Sequence, residues 1–248
     1  MEASRKAPTT DSVPAYYNTI ASDYDQLYTD PVSRYENAVV RSLLARLDLD
    51  GKDVLDLGCG TGLFLDLGFC PRRYLGLDVS PEMVRIARKK HPDRAFCVGD
   101  MAEPGLERYD AVLSLFGGAS QVLHVPLADL LHPLRPGGIF VLMVFAEGQG
   151  DRIGYRKDRA CTDLPPLPVR FYSVQGLRQA LLGMEQVRVR GLNVCLPINS
   201  SPSPAHFAVN ALLERLAPSQ AAFLIATGRR PGHLCPADAS LRMCSMLR

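Results

Sequence analysis

The chain has 248 residues, 47% of them hydrophobic, which is enough to bury a substantial core and favours one compact domain. Its formal net charge of +2 excludes the strongly basic surface that is typical of nucleic-acid-binding proteins and of proteins on acidic membranes. Residues 1–17 contain no apolar segment of signal-peptide length, and the 7 cysteines lack paired spacing, so we expect reduced thiols and a cytoplasmic location.

The beginning of the chain is predicted to be helical after a short tail. Residues 1–13 are polar and flanked by proline, a composition that predicts disorder. From Pro14 to about Leu49, apolar and aromatic residues recur at helical spacing, so this stretch predicts a helical segment.

From Asp53 onwards, short apolar runs alternate with glycine-rich turns and helices. The predicted strands are residues 53–58, 74–79, 95–100, 109–116 and 139–146. The predicted helices are residues 61–68, a helix that Ser80 caps and Pro81 begins, and residues 126–134 before the Pro136-Gly137-Gly138 turn. Strands that alternate with helices and read as continuous apolar runs predict an α/β fold with a parallel sheet covered on both faces.

The second half is less regular. Residues 147–172 show little pattern, and the proline-laden residues 164–170 predict an irregular connection. The segments predicted after it are a helix at 173–183, a strand at 184–194, a loop at 199–205, a helix at 206–217 and a last strand at 221–228. No internal repeat is visible, so we expect one doubly wound sheet; the residues after Arg230 have no interpretable pattern.

The sequence VLDLGCGTG ends a predicted strand with an acid and then places glycine at alternate positions. In doubly wound sheets, ligands lie outside the carboxyl ends of the strands, and Gly58, Gly60 and Gly62 let the backbone approach a ligand closely. Asp78 ends the next strand, at about the offset where nucleotide-binding sheets place a carboxylate for the ribose hydroxyls. These residues predict a nucleoside site.

A dinucleotide site is the alternative. It normally uses the spacing G-x-G-x-x-G, whereas the spacing here is G-x-G-x-G. Asp56 stands just before the loop, where its carboxylate would repel a diphosphate but would suit a positively charged ligand. The loop therefore favours a cationic nucleoside without phosphates.

The segments V-L-D-L-G-C-G-T-G, Y-L-G-L-D-V-S-P-E-M-V and V-G-D-M, in this order, resemble the class I S-adenosylmethionine-dependent methyltransferases of the small-molecule type. The resemblance covers residues 50–146 well and the rest more loosely, with Y-x-x-I-A-x-x-Y-D at residues 17–25 and F-L-I-A-T-G-R-R-P near the end. It implies a Rossmann-like, mostly parallel seven-stranded sheet in residues 50–248, with an acceptor-shaping insertion near 147–172. Residues 1–49 would form the tail and a helical lid.

The resemblance also implies the cofactor and its contacts. S-adenosylmethionine, a nucleoside with a sulfonium and an amino acid, would be converted to S-adenosylhomocysteine. Asp56 would act on its amino group from the base of the loop, and Asp78 would hold both ribose hydroxyls. The other residues that the resemblance places beside the cofactor are Gly58, Cys59, Gly60, Gly62, Val79, Met83, Asp100, Met101, Leu115 and Phe116. Met83 would pack on the adenine face, or would be a core methionine; Asp100 would accept the adenine amino group.

The residues after the fourth predicted strand lack the motifs of enzymes that methylate nucleic-acid bases or protein arginine. The stretch SLFGGAS (114–120) lacks the acid-Pro-Pro-aromatic motif of enzymes that methylate base amines, the Pro-Cys of carbon methylation on bases, and the paired glutamates of arginine methyltransferases. With the near-neutral charge, this favours a small-molecule acceptor, with no nucleic acid or membrane partner, in a monomer or homodimer.

Candidate acceptor-site residues come from three segments. His124 is the candidate general base, because its ordinary pKa suits proton abstraction near neutrality; capping or packing of a short helix is the alternative. Tyr17 and Tyr24 would close on the methyl group, and Tyr16 would contact the acceptor; anchoring of an amphipathic helix is the alternative.

The insertion supplies cations that could recognise an anionic acceptor. The basic and aromatic residues in it are Arg152, Tyr155, Arg156, Lys157, Arg159, Arg170 and Tyr172. We select Arg170 and Tyr172 as acceptor-binding residues and expect Arg170 replacement to raise the acceptor's binding constant without altering cofactor affinity; a solvated basic loop is the alternative.

Other functions stay open. A zinc site could use residues near the C-terminus, although no C-x-x-C pair is present, and we predict no metal. The residues in question are Cys195, His206, His233, Cys235 and Cys244. The alternatives to oxygen or nitrogen methylation in specialised biosynthesis are carbon methylation or intramolecular cyclisation of the donor with the same cofactor, a non-catalytic cofactor-binding partner protein and a hydride-transferring dehydrogenase.

Overall fold

The fold is built on a seven-stranded sheet with strand order β3-β2-β1-β4-β5-β9-β8. The computed structural model describes residues 12–147, 151–157, 161, 163–196 and 202–232. Strands β1 to β5 are mutually parallel, and β9 runs antiparallel between β5 and β8. The strands of this sheet are β1 (Asp53–Leu57), β2 (Arg73–Asp78), β3 (Ala95–Val98), β4 (Tyr109–Ser114), β5 (Leu134–Phe145), β8 (Glu185–Leu192) and β9 (Phe223–Arg229). The predicted mostly parallel, doubly wound α/β fold is confirmed.

Helices cover both faces of this sheet. They are α1 (Ser12–Ile20), α2 (Tyr24–Leu27), α3 (Pro31–Leu44), α4 (Leu63–Asp66), α5 (Pro81–Lys90), α6 (Val174–Ala180) and α7 (Pro204–Leu216). One core layer places Leu44, Phe64 and Val84 of these helices against one face. The other packs α6, through Leu177, against the opposite face. Because alternate residues of a strand point to opposite faces, each central strand contributes to both layers.

The predicted N-terminal helical stretch is divided into three helices. The Asp30 carboxylate accepts hydrogen bonds from the N–H groups of Val32 and Ser33, and Pro31 occupies the first helical position, so α3 starts afresh at this point. The break allows α1 to pack on α5 while α3 packs on the sheet core. The predicted disordered tail lies outside the described residues, except for its last two positions.

Two predicted elements differ from the structure. Of the helix predicted at 126–134, only Leu127–Leu131 is helical, as a short 3-10 helix, and β5 begins at Leu134. The proline-laden residues 164–170 contain a strand, β7 (Leu167–Phe171), paired antiparallel with β6 (Arg152–Arg156). Proline is tolerated there because a two-stranded sheet has only edge strands.

No described helix is both long enough and apolar enough to cross a bilayer. Across the same described residues, no cluster of three His, Cys, Asp or Glu side chains is arranged to bind a metal ion. Of the residues considered for zinc, Cys195 and His206 are described, whereas His233, Cys235 and Cys244 lie outside the described part of the chain.

Candidate functional site

The glycine loop after β1 has backbone angles that residues with a side chain adopt only with strain. Gly58, Gly60 and Gly62 have φ angles of +72°, +53° and +97°, all in the left-handed region. The N–H groups of Gly58 and Cys59 both donate to the carbonyl of Leu77, at 2.7 and 3.1 Å, which fixes the loop to β2. A Cβ on Gly58 would lie 2.9 Å from the Met101 methyl carbon. A side chain at Gly58 would therefore displace Met101, whereas at Gly60 the positive φ alone favours glycine.

Asp78, at the carboxyl end of β2, organises this loop. Its Oδ2 accepts the N–H of Gly60 at 2.8 Å, and its Oδ1 accepts the N–H of Ser80 at 2.9 Å. Burial raises the pKa of Asp78, although hydrogen bonds from the Ser80, Gly60 and Val79 backbone oppose the rise. Each carboxylate oxygen can accept further hydrogen bonds, so the side chain can still receive the hydroxyls of a ligand.

Asp56 lies beneath the loop and not on its ligand side. Its side chain is 2% exposed, and its Oδ2 accepts the hydroxyl of Tyr74 at 2.9 Å. Burial raises the pKa of Asp56 to about 7 against the effect of the Tyr74 hydrogen bond, and the neighbouring Asp78 carboxylate adds to the rise. This placement agrees with the prediction that Asp56 acts from the base of the loop, which remains a prediction.

The raised pKa of Asp56 predicts a pH-dependent stability. A carboxyl group whose pKa is raised by folding stabilises the folded chain at low pH, and this contribution is lost as pH rises from about 4 to about 7. We therefore expect Asp56→Asn to become more stable relative to the native chain across that window, by on the order of 3 kcal/mol. Urea unfolding at several pH values measures the difference.

Asp110 supplies a control of opposite sign for this experiment. Hydrogen bonds from the Asp53 N–H and from Arg135 hold the pKa of Asp110 below its usual range in spite of some desolvation. Asp110→Asn should therefore be less stable than the native chain at neutral pH, and this difference should disappear as pH falls through the acid range. An Asp56→Asn difference that does not change between pH 4 and 7 would contradict a raised pKa at Asp56.

The other predicted cofactor residues lie around the loop in different environments. Cys59 is buried in the core beneath it, and burial raises the pKa of its thiol. Met83 is 0% exposed and packs with Val13, Tyr16 and Ile20 of α1, which favours the core-methionine alternative over an adenine contact. Val79 is half-buried against the same cluster.

Asp100 and Met101 follow β3, and the Met101 side chain lies against Gly58 of the loop. Asp100 is exposed; its Oδ1 accepts the N–H of Ala102 at 2.8 Å. Its Oδ2 lies 3.6 Å from Nε2 of His124, which is 50% exposed. The predicted base therefore faces the predicted adenine contact.

The end of β4 is strained. Leu115 is buried in the core, whereas Phe116 has a φ of +50°, a conformation that bulky residues rarely adopt. Gly117 continues the turn with a φ of +87°. A Cβ on Gly117 would overlap the Phe145 ring. This turn places the Phe116 ring 6.0 Å from that of Phe223, and such strain is characteristic of functional sites.

A cavity of about 610 Å³ lies between the glycine loop, α2, α3 and the β6–β7 hairpin. Its volume falls within the usual range of small-molecule sites. Thr61 and Leu63 of the loop region reach it, together with Phe116, but Asp56, Asp78 and Asp100 do not line it. The cavity therefore adjoins the loop and is separate from the nucleoside part of the predicted site.

The N-terminal helices close one side of this cavity. Gln121 Nε2 donates to the Tyr17 hydroxyl at 2.7 Å, and Thr61 Oγ1 donates to Asp25 at 2.5 Å. Tyr24 approaches the loop, since a Cβ on Gly60 would lie 4.0 Å from its ring. Tyr17 and Tyr24 both line the cavity. That they close on the methyl group remains a prediction.

Four predicted residues do not line the cavity: Tyr16, His124, Arg170 and Tyr172. Tyr16, on α1, is buried in one cluster with Met83 of α5. The Arg170 guanidinium donates to the Leu123 carbonyl at 3.3 Å. Tyr172 is buried in the core layer on the sheet face opposite Phe145 and Phe223 of the cavity, and its pKa is raised to about 12 by burial. These placements favour structural roles for Tyr16, Arg170 and Tyr172.

The structure adds cavity residues that the sequence analysis did not select. Asp25 accepts the Thr61 hydroxyl of the loop, and Gln121 donates to Tyr17 of α1. Phe145, Phe223 and Arg156 form a wall of the cavity. Asp25 lies within the quoted Y-x-x-I-A-x-x-Y-D segment, so a signal for it existed. The two phenylalanines sit in strands that read only as core.

The site fits S-adenosylmethionine, the cofactor that the sequence resemblance implies. The bare backbone of Gly58 and Gly60 offers close approach, and the Asp78 carboxylate lies at the tip of β2 inside the loop. Residues 54–62 contain no lysine or arginine, whereas a diphosphate would favour basic side chains.

Sequence comparison finds relatives over part of the chain. The profile of a family described as a methyltransferase domain matches residues 54–138. A fatty-acid O-methyltransferase of Mycolicibacterium smegmatis is 30% identical over 175 residues, which cover 64% of this chain and 62% of that protein. The dTDP-3-amino-3,6-dideoxy-alpha-D-glucopyranose N,N-dimethyltransferase of Streptomyces fradiae is 33% identical over 136 residues, covering 51% of this chain and 53% of that protein. The chain thus spans little more than half the length of these relatives.

Solved structures share the fold over nearly the whole chain. The DhpI-SAM-HEP complex superposes with a TM-score of 0.60 at 20% identity, covering 91% of this chain and 100% of that one. The cyclase SpnF superposes with a TM-score of 0.65 at 18% identity, covering 92% and 98%. At these identities the similarity establishes the fold alone.

Proposed function

Because the chain belongs to the class I S-adenosylmethionine-dependent methyltransferases, we propose that it transfers a methyl group to an oxygen or nitrogen atom of a small metabolite held in the 610 Å³ cavity. The observation that carries the proposal is that the cavity meets the glycine loop at Thr61 and the turn after β4 at Phe116. The relatives that methylate a fatty acid and an amino sugar support both oxygen and nitrogen as the methylated atom. A role in specialised biosynthesis is part of the proposal.

The chain's own residues bind and orient the reactants. S-adenosylmethionine, when bound, supplies an electrophilic methyl group on a sulfonium. Asp78, which holds the Gly60 N–H, would accept the ribose hydroxyls, and the backbone of Gly58 and Gly60 would leave room for the methionine end. Residues of α1, α2 and α3 line one side of the cavity and would limit the access of water to it. Alignment and water exclusion are the main requirements, because displacement at a sulfonium needs little further activation.

General-base catalysis by His124 stays a proposal with a weaker geometric basis. The imidazole pairs with Asp100 and does not line the cavity. An acceptor that is already ionised needs no base, whereas a neutral hydroxyl or ammonium group does.

A panel of small acids, phenols and amines incubated with the chain and S-adenosylmethionine tests the proposed function. We expect S-adenosylhomocysteine to be released with at least one acceptor, whose mass rises by one CH2 unit. Consumption of S-adenosylmethionine without release of S-adenosylhomocysteine and without a methylated acceptor would favour cyclisation of the donor, and a methylated product whose new methyl group is bonded to carbon would favour carbon methylation. Binding of S-adenosylhomocysteine without turnover of any acceptor would favour the non-catalytic alternative.

Tyr17→Phe should lower kcat/KM for the acceptor about tenfold, because it removes the hydrogen bond from Gln121 that joins the lid to the turn after β4. Tyr155→Phe is the matched control, since Tyr155 is exposed on the hairpin and does not line the cavity. Initial rates with the acceptor found in the panel measure the effect. Equal rates for the native chain and Tyr17→Phe would contradict a role of this contact in catalysis.

A further inference from the structure

We propose that the acceptor is anionic, with a carboxylate or similar group held by Arg156 and an apolar or aromatic body against the phenylalanine wall. The inference deepens the proposed function and rests on it, because it takes the cavity as the acceptor site. Arg156 ends β6 and lines the cavity. No residue of the glycine loop takes part.

Arg156 is held in place by aromatic rings. Its guanidinium carbon lies 4.1 Å from the centroid of the Phe145 ring and 5.8 Å from that of Phe223. A guanidinium over an aromatic ring keeps its N–H groups available for an acceptor in its own plane, and a carboxylate matches their fork geometry. The stacking therefore orients the cation without neutralising it.

Arg156 has no carboxylate within ion-pair distance among the residues that the structure describes. Arg152, on the same face of the same strand, shows the contrast. It also lies over a ring, 4.5 Å from the centroid of Phe171, but its guanidinium is paired with the Glu147 carboxylate. Arg152 does not line the cavity. The arginine without a described partner is thus the one that faces the cavity.

The three acids that line the cavity all have described partners. Lys90 Nζ lies 2.7 Å from Asp25 Oδ2 and 2.5 Å from Asp66 Oδ2, so these three form a cluster of their own. Glu36 is buried and accepts the Asn193 amide at 2.7 Å. The cavity acids are therefore engaged, which disfavours a cationic acceptor.

Arg34 adds a second positive charge to the cavity lining. Its side chain is exposed, and no described carboxylate lies within ion-pair distance of it. Arg34 and Arg156 are thus the cavity-lining cations without a described carboxylate partner, and an anionic group would be held at them.

The rest of the wall suits an apolar body. The apolar residues that line the cavity are Leu63, Phe116, Phe145, Leu167, Val169, Ala222 and Phe223. A ligand with an apolar body and one anionic group would bury the body against these side chains and place its charge at Arg156. This combination of an apolar pocket with a few placed polar groups is usual for specific small-molecule sites.

Calorimetric titration with phenylbutyrate, phenylbutanol and phenylbutylamine, with and without saturating S-adenosylhomocysteine, tests the inference. The three probes share one apolar body and differ in the charge of the end group. The native chain should bind the carboxylate about tenfold more tightly than the alcohol, and the amine most weakly. Arg156→Met should bind the carboxylate and the alcohol equally, and Arg156→Lys should retain part of the preference.

Arg152→Met is the matched control and should keep the native preference, because it removes a stacked arginine of the same strand outside the cavity. Thermal unfolding shows whether each variant is folded. The inference is overturned if the native chain prefers the alcohol or amine, if none of the probes binds, or if the preference survives in Arg156→Met.

The same titrations separate this inference from the proposed function. Binding of S-adenosylhomocysteine without a carboxylate preference would leave the proposed function standing and remove the anionic acceptor. A carboxylate preference that disappears in Arg156→Met, with no binding of S-adenosylhomocysteine, would leave the anion site standing and remove methyl transfer.

Discussion

Asp78→Ala is expected to weaken binding of S-adenosylhomocysteine about 100-fold, because two hydrogen bonds from ribose hydroxyls to a carboxylate contribute roughly 3 kcal/mol together. The replacement also leaves the Gly60 N–H without its acceptor at the centre of the loop. Asp78→Asn keeps one amide oxygen as acceptor and should lose less affinity. Calorimetric titration of the three proteins measures the order.

Asp110→Ala is the control for a general loss of stability. Asp110 belongs to the charged cluster of Arg72, Asp53 and Arg135. This cluster lies away from the glycine loop, so Asp110→Ala should lower stability but preserve affinity for S-adenosylhomocysteine. An Asp78→Ala variant that is folded and binds as tightly as the native chain would contradict the ribose contact.

Glu214→Leu is expected to lower the free energy of unfolding by about 3 kcal/mol or more, because it leaves several buried donors without an acceptor. Glu214 is 1% exposed and joins three elements. Its Oε1 accepts the Asn193 N–H and the Asn210 side-chain amide, each at 2.9 Å, and its Oε2 lies 2.9 Å from Arg190. The Tyr35 hydroxyl of α3 donates to it at 3.2 Å.

Two further variants show how much of this loss comes from the charge of Glu214 and how much from its burial. Glu214→Gln keeps an oxygen for the Asn193 and Asn210 donors and should lose only part of the stability. Glu82→Leu removes an exposed ion pair with Arg85, so its effect should be below about 1 kcal/mol. Urea unfolding measures the free energy of unfolding of the three variants. A loss in Glu214→Leu no larger than that in Glu82→Leu would contradict a stabilising role of the buried Glu214 carboxylate.

The nucleoside part of the site could be predicted because it is local. Gly58, Gly60 and Gly62 follow one strand directly, and Asp78 ends the next, so strand order alone brings them together. Backbone requirements for positive φ also leave a direct signal in the sequence as glycine.

The acceptor cavity could not be predicted in the same way, because segments far apart in the chain meet there. The β6–β7 hairpin explains why Arg156, and not the predicted Arg170, reaches the cavity. Its register pairs Arg156 with Leu167 and Ile153 with Arg170. Since paired residues share a face and neighbouring pairs alternate, Arg156 and Leu167 face the cavity while Arg170 faces away. Pro165, Pro166 and Pro168 made this segment read as an irregular connection, so the register could not be predicted.

A similar local ambiguity separates His124 from Gln121. The two residues are three positions apart after β4, and the 3-10 helix Gly118–Gln121 directs Gln121 towards Tyr17. His124, beyond that helix, meets Asp100 on the other side of the loop. A single turn decides which side chain reaches the lid, and sequence periodicity over so few residues does not determine it.

Calorimetric titration of the native chain with S-adenosylmethionine, S-adenosylhomocysteine and a nicotinamide dinucleotide tests the identity of the cofactor most directly. We expect micromolar binding of the first two and no measurable binding of the dinucleotide. Folded protein that binds the dinucleotide and neither sulfur compound, also in the presence of phenylbutyrate, would contradict a methyltransferase and restore the dehydrogenase alternative.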